Sequence, residues 1–161
     1  MTPDEKLKSL GLTLPPPPKP VASYVPCVRT GHLVFVSGQL PFKDGKLAFT
    51  GKVPTDVSIE QAAEAARLAA LNALAILAEA ASNLENVAQI VRVGVFINSA
   101  DGFTDQPKVA NGASDLFAEI FGDIGRHARA AVGVNELPLN AAVELELTAE
   151  LAAWPGYFRL K

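Results

Sequence analysis

Residues 125–150 read GRHARAAVGVNELPLNAAVELELTAE. Two apolar runs rich in β-branched and small residues, 128–134 and 141–148, flank the turn-rich connector Asn-Glu-Leu-Pro-Leu-Asn, which predicts two antiparallel strands joined by a loop. Arg129 is out of place in a run of Ala and Val, where a surface strand alternates with polar residues and a buried one has none. Glu144 and Glu146 alternate with Val143, Leu145 and Leu147, so both carboxylates point away from the apolar face. A guanidinium on one strand and a carboxylate on its neighbour supply an anion anchor beside a general base. The same two residues also suit a cross-strand salt bridge on a solvated face, and residue types alone favour that plainer reading.

Working back from this stretch, residues 107–121 place Val109, Ala113, Leu116, Phe117 and Ile120 on one helical stripe that ends at Gly122 and Gly125. Residues 87–97 read as a strand, with Val91, Val93 and Val95 on one face. Ser58 and Gln61 form a capping box that opens a long helix over 59–81, whose Ala62, Ala66, Ala69, Ala73 and Leu77 allow close packing on a sheet. Asn72 on this helix is read as a partly exposed or satisfied polar residue. Residues 24–29 and 32–37 form a hairpin about Thr30-Gly31, and Asp44-Gly45 marks a second. Gly38, at the end of the HLVFVSG strand, permits close approach of backbone or ligand. Thr2, Pro3 and Glu5 cap a short helix over 3–9, followed by the extended run Pro15 to Pro18.

The predicted organisation is a short helix with a proline-rich arm over 1–20 and one α+β domain over 21–161. Strands alternate with two main helices and make a mixed sheet with both helices on one face. The other face then needs covering, and an apolar content of 49% with mean hydropathy +0.22 fits a face buried in a homo-oligomer.

Composition also limits the function. A net charge of −3 with no basic run disfavours nucleic-acid binding. The most apolar segment, 62–81, is interrupted by charged residues, so no membrane span is expected. Cys27 is the single cysteine and reads as structural. His32 and His127 lack ligand spacing, so no metal is expected, and His127 reads as a surface residue. The N-terminus has no signal-peptide pattern, and the cytoplasm is the expected compartment.

Several motifs together resemble the Rid family of reactive intermediate deaminases, also called the YjgF or endoribonuclease L-PSP group. They are Ser23-Tyr24, Val36-Ser37-Gly38-Gln39-Leu40-Pro41, Val109-Ala110-Asn111, Ala128-Arg129-Ala130-Ala131-Val132, and Leu137-Pro138 followed by Val143-Glu144-Leu145-Glu146. The resemblance spans about residues 21–150. It implies a chorismate-mutase-like fold and a homotrimer whose sheets face the centre, with sites between subunits. It further implies hydrolysis of 2-imino acids or enamines to 2-keto acids and ammonia, without metal or organic cofactor. Position by position, Arg129 matches the anchor for the substrate carboxylate, a role suited to a planar bidentate group. Glu144 matches the group that activates water. Tyr24, Ser37, Asn111 and the Ala131 backbone match the lining of the cleft. The chain departs from archetypal members at Ala130 and Ala131, which replace a hydroxyl residue and a cysteine, and in longer loops near Thr50 and Asp105, features of a long-form branch. Other readings of the same cleft are a noncatalytic carboxylate-binding or regulatory module and, as the older family name suggests, an endoribonuclease or translation inhibitor.

Overall fold

The structure is a computed structural model that describes residues 1–17 and 23–152. Pro18, last of the proline run, and the chain beyond Ala152 lie outside the described residues. Helix α1 (Pro3–Ser9) is closed by the expected reciprocal cap, in which Thr2 Oγ1 accepts from the Glu5 amide at 3.2 Å and Glu5 Oε2 from the Thr2 amide at 2.8 Å. Leu7 of this helix is buried in the main core, so α1 packs as part of the fold.

Strands β1 (Cys27–Thr30) and β2 (Leu33–Gln39) form the predicted hairpin, with Thr30 opposite Leu33. A two-stranded ribbon, β3 (Phe42–Lys43) with β4 (Lys46–Leu47), turns at Asp44-Gly45. Helix α2 (Ile59–Ala81) starts at the Ser58 capping box. Strand β5 (Val87–Asn98), helix α3 (Gln106–Phe121), strand β6 (Ala128–Val134) and strand β7 (Val143–Leu151) complete the chain. The main sheet has the order β1-β2-β7-β5-β6; β5 and β6 run parallel, and the other pairs are antiparallel.

The hairpin expected from residues 125–150 is therefore corrected. β6 and β7 run in opposite directions but are not neighbours, because β5 lies between them. The reason lies in burial. Ile90, Val93, Val95 and Ile97 of β5 are fully buried and claim the centre, whereas the alanine-rich β6 has little to bury and takes the edge. A parallel β5–β6 pair needs a long crossover, which α3 supplies. The segment after Val134 then passes over the end of β5, where the buried Asn98 donates from Nδ2 to Asn140 Oδ1 at 3.1 Å and to the Ala141 carbonyl at 3.2 Å.

Both long helices pack on one face of the sheet, as expected. Ala62, Ala65, Ala66, Ala69, Ala70 and Ala73 of α2 are fully buried, so the helix axis comes close to the strands. Asn72 is buried and satisfied, donating to the Leu40 and Phe42 carbonyls at 2.9 and 3.1 Å. The opposite face exposes Val28, Phe35 and Val132. No helix among the described residues is long and apolar enough to cross a membrane.

Gly112 sets the approach of α3 to α2, because a Cβ there would overlap the Ala63 carbonyl oxygen. Gly112→Ala forces the helices apart, and urea denaturation is expected to show a loss of about 1–3 kcal/mol, the usual range for overpacking.

Candidate active site

The predicted site residues fall into two groups at opposite sides of the sheet. The first group joins α3 to β6. Arg129 Nη1 donates to Asn111 Oδ1 at 2.9 Å and to Ser114 Oγ at 3.0 Å. Asn111 and Ser114 are three residues apart on α3 and so share a helix face, a spacing that could have singled out Ser114, which sequence reasoning missed. His127 closes the group, with Nε2 3.0 Å from Ser114 Oγ and Nδ1 2.7 Å from the Gly125 carbonyl oxygen. Its ring meets Phe117 edge-on at 5.6 Å. The surface assignment of His127 is thus corrected: the imidazole is half-buried, because it lies against Ser114 and Phe117 of α3. Burial pushes its pKa down, with a smaller push from the Arg129 charge, against an opposing hydrogen bond to Gly125. Ala131 lies half-buried two residues beyond Arg129, on a strand whose outer edge has no partner among the described residues.

The second group lies where β2 meets β7. Ser37 Oγ donates to the Val25 carbonyl at 2.7 Å, and the Ser37 amide to that of Pro26 at 2.9 Å. These bonds fix the segment that carries the half-exposed Tyr24 against the end of β2. The β2–β7 register breaks between Val36 and Gln39, and Gly38 sits in that irregularity. The Glu144 carboxylate rests on Gly38: a Cβ at residue 38 would overlap Oε1 and stand 3.0 Å from Cδ. Glu146 covers Gly94 in the same way, where a Cβ would meet its Oε1 at 2.7 Å, but it also faces Arg92 Nη1 at 3.6 Å. Glu144 has no cationic partner among the described residues. Burial raises its pKa, and the Glu146 charge raises it further.

The two groups do not converge within one chain. Arg129 is in register with Val93, which pairs with Leu147, and all three point toward the helices. Glu144 pairs with Phe96, which pairs with Val132, and these point to the opposite face. The expectation that Arg129 and Glu144 stand on adjacent strands is therefore corrected, and the predicted salt bridge between them is absent. Two strand intervals, about 10 Å of sheet, separate their strands. Cys27 is partly buried, and burial followed by the Glu79 charge pushes its thiol pKa up, the reverse of an activated nucleophile. Among the described residues, no three His, Cys, Asp or Glu side chains are grouped to hold a metal.

Residues 4–151 match the family model described as "YjgF/chorismate mutase-like, putative endoribonuclease". The chain belongs to the YjgF family. Protein TCP17 of Trypanosoma cruzi is 42% identical over 146 residues, which cover 90% of this chain and 91% of that protein. A 2-iminobutanoate/2-iminopropanoate deaminase of Dermatophagoides farinae is 30% identical over 135 residues, 84% of this chain and 91% of the relative. Among solved structures, the protein Atu1372 of Agrobacterium tumefaciens, described as of unknown function, superposes with a TM-score of 0.87 at 42% identity, covering 94% of this chain and 93% of its own. The chorismate-mutase-like α+β fold read from the sequence is thus the fold of the YjgF family to which this chain belongs.

Glu144 supplies a test of its environment. Its folded pKa lies above its unfolded one, so the stability linked to protonation is present below about pH 4.3, the ordinary Glu value, and lost as pH rises through the folded pKa. Glu144→Gln removes the buried charge, so the variant is expected to melt above the wild type at pH 7, with the gap closing toward pH 4 in paired thermal scans.

Proposed function

We propose that this protein is a Rid-type deaminase, hydrolysing 2-imino acids or their enamine tautomers, and that it works as a homotrimer with composite sites. Arg129 and Asn111, with the Ala131 backbone, come from one copy; Tyr24, Ser37 and Glu144 come from the next. The observation that carries this reading is the half-buried Glu144 carboxylate, seated on Gly38 with no cation beside it among the described residues and with a raised pKa. A carboxylate in that state takes and returns protons nearer neutrality than an exposed one. The deaminase name of the mite relative supports the reaction class. The opposed placement of the two groups supports the assembly, since a site that uses both Arg129 and Glu144 has to draw them from different copies. Closing three sheets in this way, open faces inward, also buries Val28, Phe35 and Val132.

In this scheme Arg129 holds the substrate carboxylate through paired N–H donors. Glu144 removes a proton from water as the oxygen attacks the carbon of the protonated imine, which takes the C=N pair onto nitrogen and forms a carbinolamine. Glu144 returns the proton to the amine, the C–N bond breaks, and Glu144 takes the hydroxyl proton as that oxygen becomes the keto oxygen; the departing ammonia then picks up this proton and leaves as ammonium. The iminium carbon is already electrophilic, so orientation and one proton carrier suffice. The scheme needs neither metal nor organic cofactor. An endoribonuclease reading finds less support, because the net charge of −3 opposes phosphate binding.

Ammonia release from freshly generated 2-iminobutanoate is expected to accelerate with the wild type and to return to the buffer rate with Arg129→Ala. Arg129→Ala and Glu144→Ala, mixed as unfolded chains and refolded together, are expected to recover about one quarter of the activity, the share of interfaces that pair two intact halves. A wild type that matches buffer across several imines sinks the deaminase reading, and keto-acid binding without turnover points to a binding module. No recovery in the mixture sinks the composite site.

A further inference from the structure

His127 and Ser114 lie behind the guanidinium of Arg129, outside the residues assigned to the substrate cleft. A carbonyl oxygen can only accept, so the 2.7 Å contact from His127 Nδ1 to the Gly125 oxygen places a proton on Nδ1. In the neutral ring Nε2 is then a bare lone pair, and the Ser114 hydroxyl 3.0 Å away donates to it. That leaves the Ser114 oxygen to accept from Arg129 Nη1 at 3.0 Å. The relay has one direction, from Arg129 through Ser114 and His127 to the Gly125 carbonyl. Phe117, edge-on at 5.6 Å, packs against the imidazole at the end of that relay.

We propose that His127 is a positioning residue for Arg129: its neutral imidazole, acting through Ser114, sets the guanidinium that binds the substrate carboxylate, and protonation of the ring loosens that hold and lowers carboxylate affinity in acid. The inference rests on the reading of Arg129 as the carboxylate anchor. A doubly protonated ring turns Nε2–H toward the Ser114 oxygen, where it competes with Arg129 Nη1–H. The Ser114 proton must turn elsewhere, and two cations then share one neutral oxygen.

The surrounding charges do not offset this. Asp123, in the turn before His127, faces Arg126 at 3.5 Å, and Glu119 of α3 faces Arg67 at 3.4 Å. Arg92 of β5 pairs with Glu146 on the opposite face of the sheet, and Asp115 beside Ser114 is exposed. Arg129 is the charge that acts on the imidazole, and together with burial it keeps the ring neutral at pH 7.

The test follows imidazole and guanidinium nitrogen resonances against pH, and KM and kcat for 2-iminobutanoate in parallel. The expected wild type carries its neutral proton on Nδ1, its Arg129 side-chain resonance moves with the His127 titration, and its KM rises in acid while kcat changes little. His127→Gln offers an untitratable acceptor to Ser114; it is expected to keep the neutral-pH KM within about twofold and to abolish the acid rise. His127→Phe keeps the packing against Phe117 but accepts nothing, and is expected to raise KM on the order of tenfold at unchanged kcat. A neutral proton on Nε2, or an acid rise that persists in His127→Gln, overturns the proposal even if His127→Phe fails to fold. A wild type without turnover, in which the Arg129 resonance still follows His127, sinks the deaminase reading and upholds the positioning role. Turnover with an Arg129 resonance indifferent to His127 does the reverse.

Discussion

Strand β5 pairs with β6 on one side and β7 on the other, and the geometry of the site follows from those two registers. Side chains alternate along a strand, so Val93 opposite Arg129 and Phe96 opposite Glu144 send the guanidinium toward the helices and the carboxylate away from them. A shift of one residue in either ladder would turn a whole row of buried valines and leucines outward. The hydrophobic core therefore fixes the positions of the charged groups. Packing and chemistry are joined at this strand, and the apparent pairing of Arg129 with Glu144 in the sequence becomes a separation in space.

Glycines locate the carboxylates as firmly as their own backbones do. Gly38 and Gly94 leave hollows that Glu144 and Glu146 fill, so each side chain lies along the sheet. The two then diverge in environment. Glu146 faces Arg92, whereas Glu144 is half-buried beside a like charge and has no cation among the described residues. Desolvation without a counter-charge is costly for a structural residue and useful for a proton carrier. On the other side, Arg129 is held by two neutral oxygens, which fix its direction and leave its charge uncompensated by any carboxylate among the described residues.

Much of this was legible in the sequence because it is local. The capping boxes at Thr2 and Ser58, the β1–β2 turn, the close approach at Gly38 and the apolar stripe of α3 are each written within a few residues. The placement of β6 was not, because proximity in sequence favours a hairpin, and the decision rests on β5 burying more than β6 can. His127 misled for a related reason: nothing beside it in the chain reports that Ser114, thirteen residues earlier, stands 3.0 Å from its Nε2. Residue types suggested which groups carry chemistry, but the strand order decided which of them meet.

The segment between β6 and β7 has a further consequence. Beyond its own turn, where the Asn140 amide donates to the Leu137 carbonyl at 3.1 Å, it is tied to the loop at residues 50–53: the Gly51 amide donates to the Asn140 carbonyl at 2.8 Å, Thr50 bridges to Ala141, and Lys52 Nζ donates to Asn98 Oδ1 at 3.1 Å and to the Asn135 carbonyl. Two loops distant in sequence thus share one set of hydrogen bonds at the end of β5. A chimera that grafts either loop alone from a shorter homologue leaves the other with orphaned donors and acceptors, so the pair is a single exchangeable module.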